Sequence, residues 1–298
     1  MRKKLYGGIE GGGTKFVSAI VDADGRILAE SRCDTTSPEA TLGACAQFFE
    51  ENASLGELTS LGIACFGPLD PILGSATYGR ILNTPKAGWS QADVVGYFTE
   101  RLKLPVAFDT DVNGAVLAEH IWGAGKGRQN IVYYTIGTGI GGGVILNGEL
   151  VHGALHTELG HMLVPHNRFI DPFEGSCPFH ADCLEGLASG TAMEKRWQTS
   201  ARTLAADHPA WALEAGYLAV ALHNTVCMLS PERIILGGGV ISQTHLLPMV
   251  HRELVRSLNG YMQLQALISG VENYVVRTPL EGKAGVLGAF ALALSIQT

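Results

Sequence analysis

The sequence lacks the features that mark several large classes of protein. Only 16% of its 298 residues are charged, and the net charge is -7. An acidic chain of this kind disfavours nucleic acid and anionic membranes as partners. No uninterrupted apolar segment approaches the roughly 20 residues that a membrane span needs. The basic start, Met1-Arg2-Lys3-Lys4, leads into a strand pattern and not into the apolar core of a signal peptide. We therefore expect a globular protein of the cytoplasm.

Cysteine is scarce, with six residues in the chain and no disulfide framework. Cys33, Cys45, Cys65 and Cys227 lie among apolar or small residues, as buried free thiols do, which favours a reducing compartment. Hydrophobic residues, by contrast, make up 46% of the chain. This is enough for a sizeable core, and the length leaves room for two domains.

Three glycine clusters each come directly after a short apolar run that is typical of a strand. They are Gly11-Gly12-Gly13-Thr14-Lys15, the segment 137–143, and Gly237-Gly238-Gly239. A glycine turn after a strand leaves backbone N–H groups uncovered by any Cβ, and such a nest suits a phosphate oxygen. One cluster would indicate only a turn, but three together favour a protein that binds nucleotide phosphates. The first is not a Walker A loop, because its glycine spacing differs and no helix is predicted after it.

Both halves of the chain show the same order of a strand, a glycine loop, a strand, and then helices and further strands. This order predicts a duplicated α/β domain with phosphates held between the halves. We place the first domain at residues 1–118 and the second at 119–283, and expect a final helix at 284–298 to pack back on the first. Helical spacing is predicted over 186–206 and 211–229, among other segments.

Two acidic motifs come after strands of the first half. Glu10 ends the strand before the first glycine cluster, where a carboxylate can hold Mg²⁺ through water. The segment Asp109-Thr110-Asp111-Val112-Asn113 lies between a strand and a helix. Asp111 has two open interpretations, the N-cap of that helix or a catalytic base at a domain cleft.

A cluster of soft ligands predicts a metal site in the second half. Cys177, His180 and Cys183 have the spacing Cys-x2-His-x2-Cys, and His161 completes a tetrahedral zinc site of the structural type. His152, His156 and His166 are competing ligands that spacing does not exclude. The alternative is two free thiols with surface histidines.

The motifs together resemble those of the ROK family of sugar kinases (repressor, open reading frame, kinase), which have the actin-like ATPase fold with ribonuclease H-like domains. The resemblance covers nearly the whole chain. It depends on four motifs: residues 8–15, residues 135–143, Glu158-Leu159-Gly160-His161, and Cys183-Leu184-Glu185-Gly186. Tyr78-Gly79, residues 84–89 and Cys177-Pro178-Phe179-His180 look most like the zinc-containing bacterial fructokinases of this family.

The resemblance implies a role for each matching residue. Asp111 is then the general base. The sugar-binding residues are Glu158, His161 and Glu185, with Gly67 and Pro68. The residues that bind Mg-ATP are Glu10, Gly12, Gly13, Thr14, Lys15, Gly137, Thr138, Gly139, Gly237, Gly238 and Gly239. Thr110 stands where the family commonly has a sugar-binding Asn, and Glu10 stands where most actin-like kinases have Asp.

The activity that the resemblance implies is ATP-dependent phosphorylation of a hexose, with fructose converted to fructose 6-phosphate as the expected reaction. Mannose, glucose and an N-acylated hexosamine stay open as acceptors. The implied cofactors are Mg-ATP and a structural zinc ion, and members of this branch are commonly homodimers. A sugar-sensing regulator of the same family is disfavoured, because it would carry a helix-turn-helix before the first glycine loop and only six residues precede Gly7.

Overall fold

The structure of the chain is a computed structural model that describes residues 3–296. Met1 and Arg2 of the basic start, and Gln297 and Thr298 of the predicted final segment, lie outside the described residues. The chain divides into two compact units. The first comprises the chain up to Trp122, residues Leu150–Thr157 and the chain from Gly282 onward, and the second comprises Gly123–Glu149 and Glu158–Glu281.

The first unit contains a mixed five-stranded sheet. Its strands are β1 (Lys4–Gly11), β2 (Lys15–Asp22), β3 (Ile27–Asp34), β4 (Glu57–Cys65) and β5 (Val106–Thr110). The spatial order is β3-β2-β1-β4-β5, with β1 antiparallel to β2 and parallel to β4. Ile9, Phe16 and Ile63 are fully buried, so the apolar runs that predicted these strands form the core of this unit.

The second unit repeats this plan. Its strands are β6 (Ile131–Ile136), β7 (Ile140–Leu146), β8 (Glu149–Leu150, at the unit boundary), β9 (Arg233–Gly237) and β10 (Val275–Arg277). The order is β10-β9-β6-β7-β8, with β6 antiparallel to β7 and parallel to β9. The two sheets therefore match strand for strand, and the predicted duplicated α/β fold class is confirmed.

Most helices of the described residues occupy predicted segments with changed ends, and the two short helices between residues 265 and 274 were not predicted. The helices are α1 (Pro38–Glu51), α2 (Val94–Leu102), α3 (Asp111–Ile121), α4 (Leu184–Ala188), α5 (Gly190–Trp197), α6 (Ala210–Leu229), α7 (Leu246–Leu258), α8 (Gln265–Ile268), α9 (Val271–Tyr274) and α10 (Ala284–Ser295). The helix predicted over 186–206 is wrong beyond Trp197, because Gln198 takes a left-handed conformation (φ 54°) and ends α5.

One described helix, α6, is long and apolar enough to cross a membrane by length and composition, and half of its apolar window is buried inside the structure. Glu214 lies on its buried face, which is the pattern of a core helix. The prediction that Cys227 is buried is wrong, because this residue lies on the exposed side of α6.

The last helix, α10, returns to the first unit and packs very closely on it. A Cβ atom built on Gly62 of β4 would lie 1.9 Å from the backbone oxygen of Ala289. A Cβ on Gly288 would lie 2.3 Å from the backbone carbon of Gly114 in α3. The hydroxyl of Ser60 donates a hydrogen bond of 2.8 Å to the Ala293 oxygen. The helix therefore approaches β4 and α3 backbone to backbone.

We predict that Gly62→Ala destabilises the first unit by about 2 kcal/mol or more, because the new methyl group meets backbone atoms that cannot rotate away. Gly43→Ala is the matched control. A Cβ there would make only an ordinary contact of 3.6 Å with the Tyr97 hydroxyl, and replacing glycine inside α1 favours the helix. Thermal unfolding of both variants checks this, and equal midpoints would contradict the close packing.

Candidate functional site

The first glycine loop is fixed by hydrogen bonds to its backbone oxygens, while its outer surface is uncovered. The Gly12 N–H donates to the Lys15 oxygen at 2.9 Å, which closes the turn between β1 and β2. The Thr35 hydroxyl donates to the Gly12 oxygen and the Lys86 ammonium donates to the Gly13 oxygen, both at 2.7 Å. A Cβ on Gly13 would meet nothing within 4 Å. The loop is thus a fixed turn with an uncovered outer surface, as a phosphate nest requires.

Glu10 lies beside the first turn of α10. A Cβ on Gly285 would lie 2.1 Å from the Glu10 carboxyl carbon, so only glycine leaves space for this carboxyl group. Burial raises the pKa of Glu10, while the charge of Lys15 opposes that shift. A carboxylate that is costly to ionise gains from a nearby cation, so Glu10 fits the sequence interpretation of a group that holds hydrated Mg²⁺.

The start of α3 differs from one of the two sequence interpretations. The N-cap is Thr110, whose hydroxyl accepts the Asn113 N–H at 3.1 Å. Asp111 is the first helical residue, and its Oδ1 accepts the Val112 N–H at 2.9 Å. The N-cap interpretation of Asp111 is therefore wrong. A carboxylate in this first turn is stabilised in its charged form by the helix dipole, which suits a proton acceptor.

Asp109 is a buried carboxylate that organises this turn, and sequence analysis assigned it no role. Its Oδ1 accepts the Thr110 N–H at 2.7 Å and the Asn113 side-chain amide at 2.8 Å. Its Oδ2 accepts from Nε2 of His152 at 2.8 Å. This hydrogen bond raises the pKa of His152, and burial opposes the shift. The motif Asp-x-Asp-x-Asn was the only local signal, because His152 is 43 residues away in sequence.

The second and third glycine loops line one cavity in the second unit. Gly137, Thr138 and Gly239 contribute to a cavity of about 350 Å³, together with Gly190, Thr191, Glu194, Ser200, Ala201, Arg202 and Val240. The N–H of Gly190 donates to the Gly137 oxygen at 2.7 Å. The Thr191 hydroxyl donates to the Thr138 oxygen at 2.8 Å. The glycines were predicted from the sequence, whereas the polar residues opposite them show no local motif and were not predicted.

Gly238 is the central residue of the third loop. It has a positive φ of 93°, and a Cβ there would lie 2.4 Å from the Ile136 oxygen. Glycine is required at this position because both the conformation and the close approach exclude a side chain. The predicted cofactor-binding residue Gly237 immediately precedes it, at the end of β9.

The predicted sugar-binding residues of the second unit meet around the start of β7. Glu158 precedes a short 3₁₀ turn (Leu159–His161) and His161 ends it. In this turn a Cβ on Gly160 would lie 1.8 Å from the Ile140 oxygen. Glu185 lies in the first turn of α4, and its Oε2 accepts the Ile140 N–H at 3.0 Å. The same oxygen would lie 2.5 Å from a Cβ on Gly139. Glu185 therefore sits directly against the second glycine loop.

The structure brings together the four residues predicted to bind a metal ion. One ligand atom from each of His161, Cys177, His180 and Cys183 lies within 4.8 Å of all the others. Nδ1 of His161 is 3.5 Å from the Cys183 sulfur and 3.7 Å from the Cys177 sulfur, and Nδ1 of His180 is also 3.7 Å from the latter. A tetrahedral Zn²⁺ ion requires a nitrogen–sulfur separation of about 3.5 Å. The donor set fits zinc.

The Cys183 thiol of this cluster needs a nearby cation to ionise near neutral pH. Burial raises the pKa of Cys183 to about 11, and the neighbouring Cys177 contributes to the increase. Thiolate, not thiol, is the form that binds a metal. Four protein ligands fill a tetrahedral shell, so the site is of the closed, structural type.

The three histidines that the sequence left as alternative metal ligands make other contacts. Nδ1 of His166 lies 3.0 Å from the Asp182 carboxylate, and Nε2 lies 2.9 Å from the backbone oxygen of Asp171. Nε2 of His156 accepts the Leu69 N–H at 3.1 Å, next to the predicted sugar-binding residues Gly67 and Pro68. A Cβ on Gly67 would lie 3.5 Å from the His156 ring. The structure therefore assigns these imidazoles to contacts outside the Cys/His cluster.

Comparisons with known proteins agree with this geometry. The ROK family model matches residues 6–296. A fructokinase of Zymomonas mobilis subsp. mobilis is 44% identical over 99% of this chain and 98% of its own length. A fructokinase of Lactococcus lactis subsp. cremoris is 40% identical over 98% of each chain. The crystal structure of a ROK family glucokinase from Streptomyces griseus with glucose and AMPPNP has a TM-score of 0.77 at 25% identity, covering 98% of this chain and 99% of its own. The expected actin-like ATPase fold is confirmed.

We predict that His152 titrates above the ordinary histidine pKa of about 6.5 and that Asp109→Asn lowers this pKa, because the charge-assisted hydrogen bond is lost. The stability that the pair provides is complete below that ordinary value and is lost as the pH rises through the raised pKa of the folded state. NMR titration of the imidazole signals checks both statements. An unchanged His152 pKa in Asp109→Asn would show that Asp109 is not its cause.

Proposed function

The chain belongs to the ROK family, and we propose that it transfers the γ-phosphoryl group of ATP to a hexose, with fructose as the acceptor that yields fructose 6-phosphate. It is an ATP-dependent sugar kinase. The observation that carries the proposal is the identity of 44% and 40% to two fructokinases over nearly the full length of the chain. A homodimer and a location in the cytoplasm, both expected from the sequence, stay predictions.

We propose that the cavity of the second unit binds ATP. The Gly137 N–H closes the second glycine loop by donating to the Gly139 oxygen at 2.9 Å. The N–H groups of Thr138 and Gly139 would then meet the phosphates, and Gly237 to Gly239 would lie against the adenosine. The family resemblance also assigns phosphate binding to the closed turn of Gly12, Gly13, Thr14 and Lys15. This turn would offer the charge of Lys15 and N–H groups other than that of Gly12, which donates to the Lys15 oxygen. Dipoles fixed in this way stabilise the charge on a transferring phosphoryl group without reorganising during the reaction. Glu10 would hold Mg²⁺ through water, and the ion would supply additional neutralisation of phosphate charge.

The proposed base is Asp111. As a sugar hydroxyl oxygen forms its bond to the γ-phosphorus, the proton of that hydroxyl passes to the Asp111 carboxylate, and ADP leaves with the electron pair of the broken phosphorus–oxygen bond. The loose transition state of phosphoryl transfer needs a proton acceptor only late in the reaction. A carboxylate of low basicity therefore suffices. The hydrogen bond from the Val112 N–H holds this carboxylate at the start of α3, so its position is set before the sugar arrives.

Sugar binding is assigned to Glu158, His161 and Glu185 of the second unit and to Gly67 and Pro68 of the first. Carboxylates and imidazoles supply the several directed hydrogen bonds that a polyol requires. The contact of Glu185 with the Ile140 N–H supports this assignment, because it fixes a carboxylate immediately beside the phosphate loop. A sugar held by that carboxylate is thereby oriented for transfer.

We further propose that the Cys/His cluster binds structural zinc. Bound zinc would link the turn that contains His161 to the loop that contains Cys177, His180 and Cys183. Cys183 is the residue before α4, and Glu185 lies in the first turn of that helix. Two predicted sugar-binding residues, His161 and Glu185, therefore depend on the order of this loop. The zinc ion would supply rigidity, and the chemical steps remain with the other residues.

We expect ADP release with Mg-ATP to be faster with fructose than with mannose, glucose or N-acetylmannosamine. A coupled assay with each sugar measures this. Higher kcat/KM for another hexose would refute fructose as the preferred acceptor and keep the sugar-kinase activity. Absence of ADP release with every sugar would refute the proposed function.

We predict that Asp111→Asn lowers kcat in the same assay at least about a thousandfold, with ATP binding retained. Asp24→Asn, in the exposed β2–β3 turn, is the control and should have no effect.

We predict that Cys177→Ser lowers the zinc content from one ion per chain, reduces the melting temperature and raises KM for the sugar, because a serine hydroxyl is a poor zinc ligand. Elemental analysis and thermal unfolding provide the measurements. Cys227→Ser is the matched control, since this thiol is exposed on α6. If Cys177→Ser retains the zinc content of the wild-type protein, the cluster is not the metal site.

A further inference from the structure

The segment Leu150–Thr157 contacts two places in the first unit, the residues beside the proposed base and the proposed sugar-binding loop. His152 and His156 face each other in an antiparallel bridge. His152 donates to Asp109, next to the start of α3, and His156 accepts the N–H of Leu69, the residue after Gly67 and Pro68. One short hairpin therefore connects the surroundings of the proposed base with the proposed sugar-binding loop.

Asp109 holds the His152 ring in one orientation. An ionised carboxylate only accepts hydrogen bonds, so Nε2 of His152 carries the proton that is donated to Oδ2. The carboxylate side chain is 4% exposed, and the Thr110 N–H and the Asn113 amide occupy its other oxygen. A buried acceptor with three donors leaves the imidazole little freedom to turn.

Most polar side-chain groups near this carboxylate are already committed. The Thr110 hydroxyl caps α3, and Thr110 and Asn113 are 3% and 1% exposed. His152 differs, because its side chain is 28% exposed. Within residues 3–296, its Nδ1 atom has no hydrogen-bond partner. Asn113 Oδ1 also has no partner among the described residues, but that atom is buried. Nδ1 of His152 is the unpartnered atom that lies on a partly exposed side chain, and we take it as the one available to a ligand.

We propose that His152 is an additional sugar-binding residue that determines acceptor specificity, with Nε2 fixed by Asp109 and Nδ1 bonded to a hydroxyl group of the hexose. This inference rests on the proposed function. The Tyr78 phenol supports it, since burial raises the pKa of Tyr78 and the negative charge of Asp109 raises it further. Hydrogen-bonding groups from two separate segments, the start of α3 and Leu150–Thr157, therefore meet at Asp109.

Protonation strengthens the proposed contact. The raised pKa of His152 keeps a larger fraction of the ring positively charged near neutral pH. A charged Nδ1–H donates a stronger hydrogen bond to a sugar hydroxyl than a neutral donor does. A neutral ring with the proton on Nε2 would accept from the hydroxyl instead, so the contact exists in both states.

Two variants separate sugar binding from structural support. His152→Gln can place its amide N–H near the position of Nε2 and keep the bond to Asp109, but it has no atom in the place of Nδ1. His152→Asn retains a polar atom near Nδ1 and is too short to reach Asp109. We expect His152→Gln to keep the wild-type melting temperature and KM for ATP while KM for the sugar rises about tenfold. We expect His152→Asn to have a lower melting temperature than the wild-type protein, because it loses the hydrogen bond to Asp109. His120→Gln, in α3 of the same unit, is the control and should change neither constant.

A series of mono-deoxy analogues of the accepted hexose identifies the hydroxyl. Removal of the contacted hydroxyl should raise KM for the wild-type enzyme and have little further effect on His152→Gln. If the wild-type enzyme is active and His152→Gln retains its KM for the sugar, His152 has only a structural role and this inference is overturned alone. If the wild-type protein phosphorylates no hexose, the proposed function is overturned and this inference with it.

Discussion

Contact between backbone segments with no side chain between them determines where the candidate site residues lie. Gly160 lets the turn of Glu158 and His161 rest on the Ile140 oxygen, and Gly139 leaves space for the Glu185 carboxylate beside the same strand. Because backbone atoms cannot change rotamer, such contacts fix positions more firmly than side-chain packing does. The proposed recognition of a sugar in the second unit depends on this close packing around β7.

The two sheets share a plan while the sites that they carry differ. In each unit, the first strand pairs antiparallel with the next strand and parallel with a later one. The turn between the antiparallel strands is rich in glycine in both cases. The segments outside this shared core are particular to each unit: a cap at Thr110 and the buried Asp109 in the first, and the cluster of cysteines and histidines in the second. A repeated scaffold thus carries different chemistry in its two copies.

The features that depend on residues close together in the sequence could be predicted. The glycine turns after apolar runs, the α/β order and the spacing of Cys177, His180 and Cys183 are local patterns, so the fold class and the set of four clustered ligands could be predicted. The cap at Thr110 was not, since Thr and Asp are both favoured N-caps and only geometry separates them. The exposure of Cys227 depends on which side of α6 meets the core.

Contacts between distant residues were beyond local patterns. Nothing in the sequence around Asp109 indicates that its partner is His152, and three nearby histidines were equivalent by spacing until the fold gave each a different contact. The polar residues of the proposed ATP cavity, such as Glu194 and Arg202, come from segments without a motif. In each case the missing information was tertiary, and residue types alone do not contain it.

The return of α10 to the first unit has a consequence for biosynthesis. Residues up to Trp122 leave the ribosome long before Ala284, yet Gly62 and Gly114 are covered only when this last helix arrives. At translation rates of about 5–20 residues per second, the intervening residues delay its arrival by roughly 10–30 s. During that interval the nascent first unit exposes the apolar surface of β4 and α3. Because exposed apolar surface promotes aggregation, the amino-terminal half is prone to aggregate until the carboxyl-terminal helix is made.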